Sequence, residues 1–142
     1  MITAHERGRR RISLNREECI MYIEDTFAAN AEFPWKKYPN YIVFRHSNNR
    51  KWFAAIFDIP KTKLGFSEET KVDILNLKCD PILADTLKTE AGIFPGYHMN
   101  KANWISVALD GSVPDSKIKL LLDISFDLTA TKSKPQKTYS QD

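Results

Sequence analysis

Three consecutive strand-like segments, with no helical pattern between them, constrain the fold of this chain more than any other feature. Residues 41–46 and 51–59 are rich in aliphatic and aromatic side chains and are separated by a polar turn at 47–50. Residues 72–79 alternate apolar and polar side chains. Strands without a helical crossover favour an antiparallel sheet, since parallel neighbours need a long connection. The middle segment is apolar on both faces, which predicts an inner position in the sheet.

Helical patterns lie on both sides of this strand group. Apolar residues at helical spacing predict a helix over 16–29, with Asn15 as its N-cap. Asp80 and Pro81 predict the start of a second helix, and Gly92 its end in the left-handed conformation.

The last third of the chain predicts a loop, one more strand and a final helix. Residues 93–101 form the loop, and residues 103–109 alternate as a strand. The helix over 114–128 has only a narrow polar stripe, so we expect it to be sandwiched in the core or to form half of a protein interface. The predicted order is α-β-β-β-α-β-α, an α+β domain with helices packed on an antiparallel sheet.

The charge of the chain is concentrated at its ends. The formal net charge is +3, yet residues 17–130 contain 13 basic and 16 acidic side chains. We expect 14–130 to form one domain, 1–13 to be a mobile basic extension and 131–142 a disordered polar tail. The arginine cluster at 9–11 could bind phosphate, although a solubilising role is the more common one.

The sequence excludes several classes of protein. It has no apolar run of about 18 residues, so we expect no membrane span, and we expect no secretory signal because residues 1–13 are basic with no apolar stretch behind them. Cys19 and Cys79 fit no metal or redox spacing, so we expect two buried, reduced thiols in a cytoplasmic protein. No nucleotide, hydrolase or zinc-protease motif is present, and the three histidines have no metal-ligand spacing. We assign no catalytic residue, cofactor or metal ligand.

Two chemical alternatives stay open at this point. Cys79 and His98 could form a nucleophile and base, although a thiol on a core face is inert. Carboxylates on the first helix could bind a hard cation, although first-turn acids are also typical of a solvated helix start.

A cluster of amide, ammonium and aromatic groups indicates the most plausible site. Strand alternation brings polar residues of the third strand to the same side as an aromatic residue of the fourth, next to loop 93–101. Such groups suit phosphate contacts and base stacking. The alternative is structural: the polar groups anchor the loop by backbone hydrogen bonds, as is common in proteins. The candidate nucleic-acid- or ligand-binding residues are Asn76, Lys78, Tyr97, His98, Asn100, Lys101 and Trp104.

The same region resembles a known family. Residues 75–81 read L-N-L-K-C-D-P and are similar to the N-L-K-C-D-P motif of the MmcQ/YjbR-like proteins. Residues 95–101 read P-G-Y-H-M-N-K and, with Trp104 and the L-D-G at 109–111, resemble the second motif of that family. The family commonly has histidine where this chain has Asn103, so a proton-transfer or metal role at that position is not expected here.

The resemblance covers about residues 14–130 and implies a frataxin/CyaY-like arrangement and a DNA-binding role. We therefore expect a small, cytoplasmic, non-enzymatic binding module with DNA as a partner. In this hypothesis Lys78 and Lys101 contact phosphates, and Trp104 or Tyr97 stacks on bases. The alternatives are a protein-interaction or homodimer module that uses the 114–128 helix, and a small-ligand or metal-binding protein with a pocket under loop 93–101.

Overall fold

An antiparallel sheet of five strands forms the centre of the fold, and three α-helices pack on one of its faces. The computed structural model describes residues 14–131, so the predictions for 1–13 and 132–142 lie outside the described residues. The α+β class predicted from the sequence is confirmed. The elements are α1 (Arg16–Phe27), β1 (Ile42–Arg45), β2 (Trp52–Pro60), a short 3-10 helix (Lys61–Leu64), β3 (Lys71–Lys78), α2 (Pro81–Leu87), β4 (Ile93–Pro95), β5 (Trp104–Ala108) and α3 (Asp115–Thr129).

The strands lie in the order β1-β2-β3-β5-β4, and every neighbouring pair is antiparallel. β2 lies between β1 and β3, as its apolar character on both faces predicts. β4 is an addition within the predicted loop 93–101, where Ile93 pairs with Val107. Three residues that end in proline are too few to show the alternation by which a strand is recognised. The frataxin/CyaY-like arrangement stays a prediction.

Side-chain caps define the starts of the first two helices. Asn15 Oδ1 accepts a hydrogen bond from the backbone N–H of Glu18 at 2.9 Å. Glu18 Oε1 in turn accepts one from the backbone N–H of Asn15, which completes a capping box. Asp80 accepts from the N–H of Leu83 at 3.0 Å in the same way. α2 ends at Leu87, earlier than predicted, and Gly92 instead forms the turn into β4 with a φ of 84°.

The two faces of the sheet are covered differently. The helix face packs its apolar side chains against all three helices in one continuous core. The opposite face carries a second apolar cluster that is covered by aromatic side chains from loops instead of by helices. The buried members of this second cluster are Val43, Ala55, Phe57, Ile59, Val72, Ile74 and Ala108.

The final helix is partly sandwiched and partly exposed. Ile118 and Leu122 are fully buried against the sheet, and Ser125 Oγ donates to the carbonyl of Phe53 at 2.6 Å. Leu120 and Leu128 remain 57% and 44% exposed on the outer side. The core prediction for this helix is thus confirmed for one side only, and its use as an interface stays a prediction.

Candidate functional site

An open groove of about 830 Å³ lies on the sheet face opposite the helices. Its floor is formed by side chains of β2, and its walls come from the irregular segment 35–41 and from the loop after β4. We refer to it as the aromatic groove. Its lining residues are Trp35, Lys37, Tyr38, Pro39, Asn40, Tyr41, Trp52, Phe57, Asp58, Pro60, Lys63, Lys71, Tyr97, His98 and Met99.

The first wall is held in place mainly by contacts between aromatic rings. The ring of Trp35 meets those of Trp52 and Phe57 edge-on, with centroids 5.7 Å apart in both cases. Tyr38 stacks on Tyr41 with a centroid distance of 4.7 Å and is itself 47% exposed. Edge-on and stacked pairs of this kind are favourable geometries for aromatic rings. The wall is therefore a cluster of packed aromatic rings without a regular helix or strand behind it.

The second wall is formed by Tyr97 and His98, whose ring centroids lie 4.1 Å apart. His98 has a φ of 58°, a left-handed conformation that is uncommon for a residue other than glycine. The Tyr97 backbone is fixed from below: its carbonyl accepts from Asn76 Nδ2 and its N–H donates to Ser106 Oγ, both at 2.9 Å. Ser106 Oγ in turn donates to Asn76 Oδ1 at 2.5 Å. These buried bonds hold the second wall in one position.

The remainder of this loop is closed by its own polar groups. Lys101 Nζ donates to the carbonyl of Gly96 at 2.9 Å, and Asn100 Oδ1 accepts from the N–H of Ala102 at the same distance. A Cβ atom on Gly96 would lie 2.7 Å from the Cβ of Trp104, so the chain passes too close to β5 for a side chain at this position. Lysine and amide groups that the sequence offered as ligand contacts thus take part in the loop's own structure.

The seven predicted site residues fall into three groups. Tyr97 and His98 line the aromatic groove. The second group consists of residues whose hydrogen bonds fix the loop that carries Tyr97 and His98: Asn76, Asn100 and Lys101. Lys78 and Trp104 are paired neighbours on β3 and β5, with Lys78 Nζ 5.9 Å from the centre of the Trp104 ring, and they do not line the groove.

The charges along the groove are mainly positive. Three lysines and one carboxylate line it, which leaves an excess of two positive charges. Asp58 lies 3.7 Å from Lys71 Nζ, whereas Lys37 and Lys63 form no ion pair with any residue in 14–131. Burial raises the pKa of Tyr41, and the nearby Tyr97 and Asp58 raise it further, so its phenol stays protonated at neutral pH. The groove therefore combines aromatic rings, tyrosine hydroxyl groups and two ammonium groups that have no ion-pair partner in the described part of the chain.

Comparison with known proteins establishes the family of this chain. The model of the YjbR family matches residues 26–128. This chain belongs to the YjbR family. Among its relatives, a Bacillus subtilis protein named YyaQ is 40% identical over 116 residues, which are 82% of this chain and 98% of that protein. An Escherichia coli protein named YjbR is 45% identical over 53 residues, 37% of this chain and 45% of that protein.

Solved structures agree with this membership. A crystal structure of a Pseudomonas syringae protein superposes with a TM-score of 0.81 at 42% identity, covering 82% of this chain and all of that one. A Deinococcus radiodurans protein matches with a TM-score of 0.63 over 92% of this chain and 86% of that one. At 23% identity this second likeness concerns the fold alone.

Most of the groove was not found by sequence reasoning about this YjbR-family chain. The sequence interpretation placed the site on the third and fourth strands, whereas the groove lies over β2 and extends towards segment 35–41. A signal was present, because a strand that is apolar on both faces requires a cover on each face. The aromatic residues Trp35 and Tyr38, which precede that strand group, and Tyr41, at its start, provide the second cover.

The chemical alternatives find little support in the geometry. Cys79 is buried in the core on the helix face and His98 is exposed beside the groove on the other, so the two do not form a pair. Burial raises the pKa of Cys79, and it raises the pKa of Cys19 to about 12. Within residues 14–131, no group of three or more His, Cys, Asp or Glu side chains is placed to hold a metal ion. No helix in that same range is long and apolar enough to cross a membrane.

Proposed function

We propose that this YjbR-family chain is a small, non-catalytic binding module that binds single-stranded DNA in its aromatic groove. The observation that carries the proposal is the groove itself, in which half-exposed aromatic rings lie beside Lys37 and Lys63, two lysines that form no ion pair within residues 14–131. Stacking on aromatic side chains contributes about 1–3 kcal/mol per base, and every base has a face that can stack. A DNA ligand implies a cytoplasmic location, which forms part of the proposal.

A single strand fits this groove better than a duplex does. Bases in a duplex are stacked on each other, and their faces are unavailable to Tyr38 or Tyr97. Duplex binding depends largely on neutralising many phosphates, which an excess of three acidic side chains over residues 17–130 does not favour. Two lysines without an ion pair among the described residues suit one or two phosphates of a short single-stranded segment.

This assignment revises the roles of the residues that the sequence singled out. Tyr97 and His98 contact the ligand as one wall of the groove. Lys101 already donates to the carbonyl of Gly96, so Lys63 takes over the phosphate contact. Lys78 and Trp104 stay candidates for a contact with a flanking nucleotide.

Fluorescence anisotropy of a labelled single-stranded oligonucleotide, titrated with the full chain at low and at physiological salt, tests the proposal. We expect saturable binding that Lys63→Ala and Tyr38→Ala weaken. Lys63→Ala should also reduce the slope of log affinity against log salt by about 0.7, the contribution of one phosphate contact on a single strand. Lys51→Ala is the matched control, since Lys51 is an exposed lysine outside the groove.

A second variant separates the groove from the basic extension. Replacing the arginines at 9–11 by serine removes the charge cluster and leaves the groove intact. Binding that disappears in this variant, and that Lys63→Ala and Tyr38→Ala leave unchanged, would assign DNA to the extension and reject the groove. A duplex that binds as tightly as the single strand would reject the stacking argument.

The exposed apolar residues of α3 favour a second candidate function, which is protein interaction or homodimerisation. Leu120 and Leu128 are about half exposed on a helix whose other side is in the core. Sedimentation velocity tests this idea, because a dimer that Leu120→Lys converts to a monomer would support it. A monomer at all concentrations would exclude the homodimer.

A further inference from the structure

A second group of positive charges lies at the end of the aromatic groove where Trp52 begins β2. The guanidinium carbon of Arg45 lies over the Trp52 ring, 5.7 Å from its centre, and the two residues are paired neighbours on β1 and β2. The Trp52 ring packs against the second apolar cluster and lines the groove. Arg45 therefore lies on the sheet face that carries the groove, which we call the groove face.

Arg50 belongs to the same group, because Glu32 joins it to Arg45. The two carboxylate oxygens of Glu32 accept from Arg45 Nε at 3.0 Å and from Arg50 Nη2 at 3.1 Å. One carboxylate thus faces two guanidinium groups, which leaves a net positive charge. The Arg50 side chain is 58% exposed, so an anion can reach it from solvent.

The strand register places Lys78 at this same end of the sheet. Leu77 pairs with Ala54, so the next residue along β3, Lys78, lies opposite the start of β2. Lys78 alternates with Asn76, whose amide donates to the Tyr97 carbonyl on the groove face. Because residues two apart in a strand share a face, the Lys78 side chain also lies on the groove face.

The ammonium group of Lys78 has an aromatic neighbour but no acidic one. Its Nζ atom lies 5.9 Å from the centre of the Trp104 ring, and it forms no ion pair with any residue in 14–131. Together with the two arginines and Glu32, this end of the groove face carries three cations and one carboxylate. It therefore has an excess of two positive charges.

The opposite end of the groove is positive as well. β2 ends at Pro60, and Lys63 lines the groove beside it without an ion pair among residues 14–131. A strand rises about 3.3 Å per residue, so the run from Trp52 to Pro60 separates the two ends by about 26 Å. Positive ends on either side of an aromatic floor suit a ligand with several negative charges spaced along an extended chain.

We infer that the bound DNA strand runs along β2, with a phosphate near Lys63 at one end and further phosphates at Arg50 and Lys78 where the strand leaves the groove. This inference rests on the proposed function, since it specifies the path and the length of the strand that the groove takes. The aromatic rings and Lys63 are enough for a short strand. Only a longer strand reaches Arg50 and Lys78.

Fluorescence anisotropy with labelled oligothymidylates of two lengths, three and twelve nucleotides, tests this path. Each is titrated separately with the full chain at low and at physiological salt, and the longer strand should bind more tightly. Arg50→Ala and Lys78→Ala should each reduce the slope of log affinity against log salt by about 0.7 for the longer strand, the contribution of one phosphate contact. For the shorter strand, both variants should leave the slope unchanged.

Lys51→Ala is the matched control for these two variants. Lys51 is exposed and directly follows Arg50, but its charge acts on His46, which bonds to Thr129 of the final helix. It should leave both slopes unchanged, and thermal melting checks that all variants are folded. A slope for the longer strand that Arg50→Ala and Lys78→Ala leave unchanged, or that Lys51→Ala reduces equally, would overturn the inference.

The same titrations separate this inference from the proposed function. Equal affinity for both lengths, weakened by Lys63→Ala in each case, would overturn the path and leave the groove as the binding site. Binding of the longer strand that depends on Arg50 and Lys78, but not on Lys63 or Tyr38, would reject the groove and with it the path along β2. No binding of either strand would reject both.

Discussion

Replacing Asn76 with alanine will destabilise the protein more than any exposed asparagine substitution. Asn76 is fully buried, and it donates to the Tyr97 carbonyl at 2.9 Å and accepts from Ser106 Oγ at 2.5 Å. Without it, the part-buried Tyr97 carbonyl loses a donor and the fully buried Ser106 hydroxyl loses an acceptor. Each unsatisfied buried group costs about 1–3 kcal/mol. We therefore expect a loss of about 3 kcal/mol in the free energy of unfolding, and roughly 10 °C in Tm.

Urea denaturation followed by circular dichroism measures this loss, and Asn48→Ala provides the control. Asn48 is exposed, and its Oδ1 atom accepts from the N–H of Asn49 at 2.7 Å. Because water replaces an exposed partner, the control should change stability by no more than about 0.5 kcal/mol. If Asn76→Ala costs no more than Asn48→Ala, the buried network does not hold the loop and the reasoning is refuted.

Three further predictions concern other parts of the molecule. Gly96→Ala should cost about 1–3 kcal/mol in a denaturation experiment, because the added Cβ would lie 2.9 Å from the carbonyl oxygen of Trp104. Burial lowers the pKa of His46, so the unfolded chain binds its proton more tightly. The urea midpoint should fall as the pH drops below about 6.5, and His46→Gln should reduce this fall. The Cys19 thiol, whose pKa burial raises to about 12, should react with a thiol reagent only after unfolding.

The sequence predicts the regular part of the fold because that part follows from local patterns. Side-chain alternation identifies β2, β3 and β5, and the capping residues Asn15 and Asp80 identify two helix starts. The sequence does not predict β4, because three residues are too few to show an alternating pattern and its pairing with β5 is a tertiary contact. The end of α2 was placed too late because Gly92 is equally suited to a turn that leads into a strand.

The candidate site was only partly predictable, since its two walls depend on different kinds of information. Tyr97 and His98 lie in a recognisable motif next to a strand, and the sequence finds them. Trp35 and Tyr38 lie in an irregular segment that reaches the groove by packing on Trp52, a contact distant in sequence and without a local signal, and on the nearby Tyr41. The total charge does not distinguish Lys37 and Lys63 from the other lysines, because which lysines line the groove depends on the fold.

The loop after β4 anchors itself and also forms a wall of the groove, and the two roles support each other. The bonds from Asn76 and Ser106 fix the Tyr97 backbone during folding, so the wall needs little further ordering when a ligand binds. Loss of these bonds should therefore lower both stability and affinity. The Tyr38 side chain makes no such bond with any residue in 14–131 and is half exposed, so Tyr38→Ala should lower affinity while stability stays nearly unchanged. A Tyr38→Ala variant that melts as early as Asn76→Ala would show that this tyrosine supports the fold, and that the groove is a structural seam instead of a binding site.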